Sequence, residues 1–256
     1  MAAREASLPS VVCRTATFGR GPLLNEAVES FLLQDYPGPK RMFILNDCSG
    51  VEYWCAHADV HVENSPTRFP TLGDKFNHLL ASFDCDIVVN WPDDDIMLPH
   101  ALSTVVAGIG DRDVFAGRGF WYMEKGEIRK FDDIHCAGVL AFRQRLWREL
   151  GGYAAMNSGE DKEFLARLTA HSDVEFTRLS PERAYFIYRW ATGFGHLSGY
   201  DAAGSDGYAD YGEKVMRRAV PGRYEIRPVW HDDYPGLVKD YLLACRSQPE
   251  HLPGNP

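Results

Sequence analysis

The chain reads as an α/β protein whose strands run parallel and end in polar turns gathered along one rim. Three stretches carry that reading. Ser10 to Phe18, Met42 to Leu45 and Ile87 to Asn90 are short strand-like runs, and each leads into polar residues, at Thr17 and Phe18, at Asn46 and Asp47, and at Asp93, Asp94 and Asp95. Between the first two lies a helical pattern. A strand, helix, strand order with right-handed crossovers brings such strand ends to the same side of a sheet.

The first strand breaks at Gly19, Arg20, Gly21 and Pro22. Pro22 suits the opening turn of a helix, because proline lacks only an amide that has no partner there. Leu24, Val28, Phe31 and Leu32 then recur at helical spacing until Asp35, Tyr36, Pro37, Gly38 and Pro39 stop the helix. Met42 to Leu45 is the next strand, and Val60 to Val62 a short third one. After a loop through Pro66 and Pro70, Thr71 is expected to cap a helix whose Leu72, Phe76, Leu79, Leu80 and Phe83 share one apolar face, leaving Lys75 and His78 elsewhere on its circumference.

The stretch from Ile87 to His100 is central. Four strand residues meet Trp91 and Pro92, three consecutive carboxylates follow, and Pro99 leads towards another helix. Ligands of open α/β sheets bind outside the carboxyl ends of the strands, and hard oxygen ligands there suit a divalent cation. Three acids between an apolar strand and Ile96, Met97 and Leu98 repel one another, a cost that a bound cation relieves. Such a cation suits a phosphate-bearing substrate.

The second half has a different character. Val114 to Phe131 predicts a strand pair turning near Glu124 to Gly126, Val139 to Phe142 a further strand, and a short helix ends at Gly151 and Gly152. Glu160, Asp161, Lys162 and Glu163 open another helix. Phe164, Leu165 and Leu168 lie three, four and seven residues beyond Asp161, so that carboxylate projects on the buried side of the first turn. Two short strands are expected between Val174 and Tyr188. The run 191–212 holds six glycines and few aliphatic residues, which predicts a mobile loop over a site. Lys214, Arg217, Arg218, Arg223 and Arg227 form a late basic segment suited to an anion, and Leu237 to Cys245 a closing amphipathic helix.

Composition narrows the function. With 256 residues there is ample chain for one large core, and a single domain over 1–256 is expected, with the polar rim in a first half at 8–110, a second half at 111–236 and a terminal helix and tail at 237–256. The formal net charge of -9 disfavours general nucleic-acid binding, which requires a basic surface. No apolar run approaches the 18 residues of a membrane span, and the opening residues lack a long apolar segment, so a cytoplasmic protein is expected. The six cysteines are scattered without a C-x-x-C pair, as in a reduced protein without structural zinc.

Laid out in order, these residues resemble the family 2 glycosyltransferases, inverting enzymes of the glycosyltransferase-A fold, a Rossmann-like mixed sheet flanked by helices. Ala16 to Arg20 is similar to the family's opening Pro-Thr-Tyr-Asn-Arg, and Ser30 to Pro37 to the helix and turn after it. Phe43 to Ser49 resembles its strand ending in paired acids and Ser, and Lys75 to Asn77 its basic-x-Asn step. Asp93, Asp94 and Asp95 are similar to its Asp-x-Asp signature, and Gly151 to Tyr153 with Glu160 and Asp161 to its Gly-Gly-aromatic and Glu-Asp pairs.

The resemblance implies a nucleoside-diphosphate sugar donor, a Mn2+ or Mg2+ ion, and transfer of a sugar to an acceptor hydroxyl or similar nucleophile that the sequence does not specify. Thr17, Phe18 and Asp47 would hold the base, with Arg20, Lys75, Asp93 and Asp94 along the nucleotide-sugar site. Asp95 would ligate the metal with Asp93 and with His196, which is similar in placement to a histidine that completes the site in some members. Asp161 would be the catalytic base. The family's common preference favours a UDP-sugar, while Asn46, Ala16 and Gly19 depart from its pattern at the base-binding positions. Arg189 and Trp190 echo the end of the Gln-x-x-Arg-Trp motif of processive synthases, but Phe186 stands at the Gln position, which favours transfer of one sugar. A sugar-phosphate nucleotidyltransferase and a non-catalytic nucleotide-sugar-binding module share much of this pattern. The former normally has a fuller Gly-rich loop than Phe18 to Gly21, and the latter has no need of Asp161.

Overall fold

A computed structural model describes residues 7–190, 192 and 207–247. Strand β1 (Val11–Thr17) lies between β2 (Lys40–Asn46) and β5 (Ile87–Asn90) and runs parallel to both. The short β4 (Val60–Asn64) continues the parallel set beyond β2. Strands covered on both faces read as continuous apolar runs, and β5 is buried along its whole length.

Alternate residues along these strands feed two cores. Helix α1 (Gly21–Leu32) sets Leu24, Val28 and Phe31 against Val11, Cys13, Ile44 and Val89 on one face. Helix α2 (Leu72–Ala81) sets Leu79 and Leu80 against Val12, Leu45 and Val88 on the other. Both helices start as the sequence predicts: Pro22 lies in the first turn of α1, and the Thr71 hydroxyl accepts the Asp74 amide at 3.0 Å. Lys75 lies off that apolar face as expected, yet is only 3% exposed, because its side chain reaches Asp47 and the Thr17 carbonyl at the ends of β2 and β1.

Beyond β5 come the acidic turn, β6 (Ile96–Met97) and α3 (Ala101–Ile109). Strands β7 (Val114–Glu124) and β8 (Glu127–Arg143) form a long hairpin. Its two turn residues, Lys125 and Gly126, take φ of 52° and 82°, the left-handed pair that a tight right-twisted hairpin requires. The strand expected at Val139 to Phe142 is the far end of β8, where it pairs antiparallel with β5 and joins the two halves in one sheet. That sheet has nine strands among the described residues, in the order β4, β2, β1, β5, β8, β7, β10 (Phe186–Trp190), β6, with β9 (Val174–Arg178) also paired to β7.

Helices α4 (Gln144–Glu149) and α5 (Glu160–His171) cover the α2 side, and α7 (Tyr234–Ser247) is the last described element. Two elements differ from the sequence reading. Residues 207–212, expected within a mobile loop, begin helix α6 (Gly207–Met216), in which Tyr211 and Val215 are buried; 191 and 193–206 lie outside the described residues. A second sheet, β3 (Val51–Trp54) with β11 (Gly222–Glu225), has no counterpart in the sequence reading, since four-residue runs interrupted by one or two charges give little strand signal. Among the described residues no helix is long and apolar enough to cross a membrane.

Candidate active site

The ends of β1, β2 and β5, the first turns of α2 and α5, and Tyr211 of α6 enclose a cleft of about 240 Å³. Thr17, Phe18, Arg20, Asp47, Lys75, Asp93, Asp94 and Asp161 all line it. Residues 144 positions apart in the chain therefore face one space, from Thr17 to Asp161.

Arg20 governs the electrostatics of the cleft. Gly19 precedes it with φ of +66°, and a Cβ there would stand 3.0 Å from Cys48 Sγ, so the turn that aims Arg20 needs a glycine. The guanidinium grips both oxygens of Asp93, with Nε donating at 3.0 Å and Nη2 closing the second bond, while Nη1 donates to Asp94 Oδ2 at 2.6 Å. All three side chains are buried. Burial pushes the Asp93 carboxyl above its ordinary pKa, the Arg20 charge opposes that rise, and the neighbouring Asp94 adds to it.

Asp95 is turned elsewhere. Its Oδ1 accepts the backbone amide of Arg189 at 2.8 Å, it is 4% exposed, and it is absent from the cleft lining. Burial and the adjacent Asp94 raise its pKa well above the carboxylate range. Arg189 ties this corner to the rest of the molecule. Its Nε donates to the Asp94 carbonyl at 2.8 Å, and its guanidinium pairs with Glu26, which also accepts the Tyr234 hydroxyl at 2.6 Å. The start of α7 thus braces the acidic turn.

At the other end, Asp47 is fully buried with both oxygens committed: Oδ1 takes Lys75 Nζ at 2.5 Å and Oδ2 takes the Phe69 amide at 3.0 Å. Lys75 also donates to the Thr17 carbonyl at 2.6 Å, so it locks β1 to β2. Burial lowers the Lys75 pKa, and Asp47 opposes that shift. Phe18 offers a ring to the Arg68 guanidinium, whose centre lies 4.6 Å from the ring centroid. Arg68, Tyr211 and Arg14 are lining residues that the sequence did not single out. Arg68 sits in a proline-flanked loop with no pattern to mark it, and Tyr211 in a run read as loop. The late basic segment does not line the cleft. Arg217 and Arg227 are exposed and pair with Glu213 and Glu225.

Asp161 stands in the first turn of α5, half-buried, with its Oδ1 accepting the Lys162 amide at 2.8 Å. Glu160 lines the cleft beside it. The approach to α5 depends on Gly152, where a Cβ would stand 2.5 Å from Asn77 Oδ1, the atom that accepts the Tyr153 amide at 2.7 Å. His196 lies outside the described residues. Among the described residues no three His, Cys, Asp or Glu side chains are grouped to hold a metal ion. Two carboxylates, Asp93 and Asp94, do converge on a cation, the Arg20 guanidinium. A magnesium-like ion is commonly held by one or two carboxylates together with substrate phosphates, so the donor set suits one, with Arg20 as its competitor.

A mixed sheet with this strand order, an acid pair at a central strand end and a cleft at that rim define the glycosyltransferase-A class of fold. Solved structures agree. TarS 1-349 from S. aureus is 14% identical with a TM-score of 0.56, the match covering 70% of this chain and 60% of that one. The same fragment in complex with UDP-GlcNAc matches at 14% identity and a TM-score of 0.55, over 72% and 59% of the two chains. The mannosyltransferase PcManGT from Pyrobaculum calidifontis, in complex with GDP-Man and Mn2+, is 13% identical with a TM-score of 0.54, over 95% of this chain and 76% of that one. The chain thus spans about 60% of the length of the TarS fragment. No curated protein sequence matches it. The family model for glycosyl transferase family 2 matches residues 14–166, and the chain belongs to that family.

Proposed function

We propose that the protein transfers one sugar from a nucleoside-diphosphate sugar to an acceptor hydroxyl or similar nucleophile with inversion at the anomeric carbon. The observation that carries this reading is that Asp161 opens on the same cleft as the Asp93 and Asp94 pair. The base lies at the Phe18 and Arg68 end, the diphosphate at the Arg20 end, and the sugar between the diphosphate and Asp161.

Asp161 takes the proton of the acceptor hydroxyl as its oxygen attacks the anomeric carbon. The bond to the diphosphate breaks on the opposite face, and the leaving oxygen carries the electron pair away. General-base assistance of this kind contributes about 10² to 10⁴ in rate. Arg20, buried at the acid pair, stabilises the charge that develops on the leaving group, an electrostatic effect strengthened by exclusion of water. A Mn2+ or Mg2+ ion held by Asp93 and Asp94 would add Lewis-acid stabilisation of the same charge. Asp95 is left out of that set and serves to hold the Arg189 amide.

PcManGT was solved with GDP-Man and Mn2+, and TarS with UDP-GlcNAc, so neighbours of this fold take guanine and uracil donors alike. A UDP-sugar remains the favoured donor here. A thermal-shift screen of nucleoside diphosphates and their sugars, with and without Mn2+, tests the reading, because any ligand binding only the native state raises the melting temperature. A rise with one nucleoside diphosphate family, larger with Mn2+, is the expected result. No rise with any nucleotide contradicts it.

A further inference from the structure

Arg14 is a buried cation of the cleft that the proposed chemistry leaves without a task. It is 4% exposed, lines the cleft, and its described hydrogen bonds go to neutral groups: Nε donates to Asn90 Oδ1 and Nη2 to the Tyr153 hydroxyl, both at 2.9 Å. The Phe76 ring lies 3.8 Å from its guanidinium carbon and the Tyr153 ring 5.0 Å. The other buried cations at that rim are matched by carboxylates, Arg20 by Asp93 and Asp94, and Lys75 by Asp47. Among the described residues Arg14 has no acid within 4.0 Å, although Glu160 and Asp161 line the same end of the cleft.

Taking a charge out of water costs several kcal/mol unless a counter-charge or hydrogen bonds compensate. Neutral partners and two rings compensate part of that for Arg14 and leave Nη1 without a hydrogen bond among the described residues. That atom is not among the fully buried unpartnered ones, so it opens on the cleft that Arg14 lines. A guanidinium with one edge anchored and the remaining nitrogen offered to a cavity is arranged to receive an anion.

Position selects the anion. Arg14 and Ala16 of β1 and Phe18 just past its end alternate and all line the cleft, so Arg14 lies roughly 13 Å back along the chain from Phe18. Its partners are Asn90, which precedes the acidic turn, and Tyr153, which leads to α5. The diphosphate belongs beside Arg20, and Gly138, Glu160 and Asp161, which line the cleft with Arg14, belong with what lies beyond it. Building on the glycosyltransferase reading, we propose that Arg14 binds a carboxylate on the transferred sugar, so that the donor is a nucleoside-diphosphate uronic acid.

Calorimetry in the presence of Mn2+ compares UDP-glucuronate with UDP-glucose and GDP-mannuronate with GDP-mannose. The wild-type protein binds one uronate at least about tenfold more tightly than its parent hexose, the order expected for one hydrogen-bonded charge pair. Arg14→Gln removes that preference and leaves affinity for the free nucleoside diphosphate within about twofold. Equal or tighter binding of the parent hexose in both pairs by the wild type overturns the proposal without recourse to a variant. An Arg14→Gln protein that loses the free nucleoside diphosphate as severely as the uronate donor also overturns it, since Arg14 then serves the diphosphate. Binding of neither free nucleoside diphosphate by the wild type is a separate result that removes the glycosyltransferase reading itself.

Discussion

The backbone amide of Arg189 donates to Asp95 Oδ1 at 2.8 Å, and this single bond turns the third acid of the triplet away from the cleft that Asp93 and Asp94 line. On the proposed reading the three adjacent carboxylates have two kinds of work. Asp94→Asn is expected to weaken Mn2+-dependent nucleotide binding at least about tenfold, because one of two cation-facing carboxylates loses its charge. Asp95→Asn keeps an oxygen for the Arg189 amide and is expected to retain that binding. Titration calorimetry on the two variants separates them, and a greater loss in Asp95→Asn contradicts the assignment.

On the proposed reading Arg20 and a divalent ion would compete for the same oxygens. Arg20→Gln leaves two buried carboxylates facing each other without a cation, so the variant is expected to melt below the wild type and to recover on adding Mn2+. Mn2+ alone is expected to bind the variant about tenfold more tightly than the wild type, as relief of one competing charge would give. Manganese resonance spectroscopy reads this without any donor present. Equal affinity in the two proteins shows that Arg20 and the ion do not share a site.

The Glu26 and Arg189 pair is the brace behind the acidic turn. Both side chains are buried, and removing one charge strands the other, so Glu26→Gln is expected to cost about 3 kcal/mol at neutral pH. Burial opposes ionisation of Glu26, but Arg189, the Tyr234 hydroxyl and the His231 amide outweigh it and hold the carboxyl below its ordinary value of 4.5. A depressed carboxylate contributes stability that is fully present above the unfolded value and lost as pH falls through the folded one. Urea denaturation should therefore show the gap between wild type and Glu26→Gln narrowing as pH drops below about 4.5. A gap independent of pH contradicts the pairing.

Much of this site was legible because its signals are local. Strands that end in polar residues, Thr71 as a cap, and a helix opening on Glu160 and Asp161 each depend on a few neighbouring residues, and a parallel sheet then fixes where their ends meet. What sequence order could not give is the pairing of charges across it. Arg20 with Asp93 and Lys75 with Asp47 are separated by 73 and 28 residues, and each pair also ties together the elements that carry the cleft. Asp95 reads as a metal ligand because the triplet looks uniform; the Arg189 amide that its Oδ1 accepts comes from 94 residues away, beyond any local signal. Arg14 is hidden inside a strand that is buried almost throughout, where position alone suggests core.

The most direct test is Asp161→Asn, followed by two readouts on the same preparation: calorimetric binding of the nucleotide sugar identified by thermal shift, and release of nucleoside diphosphate during turnover. The carboxylate borders the cleft without joining the Arg20 cluster. Donor affinity within about twofold of wild type, with release slowed by about 10² to 10⁴, is the predicted result. Unchanged release from a variant that binds normally would contradict it.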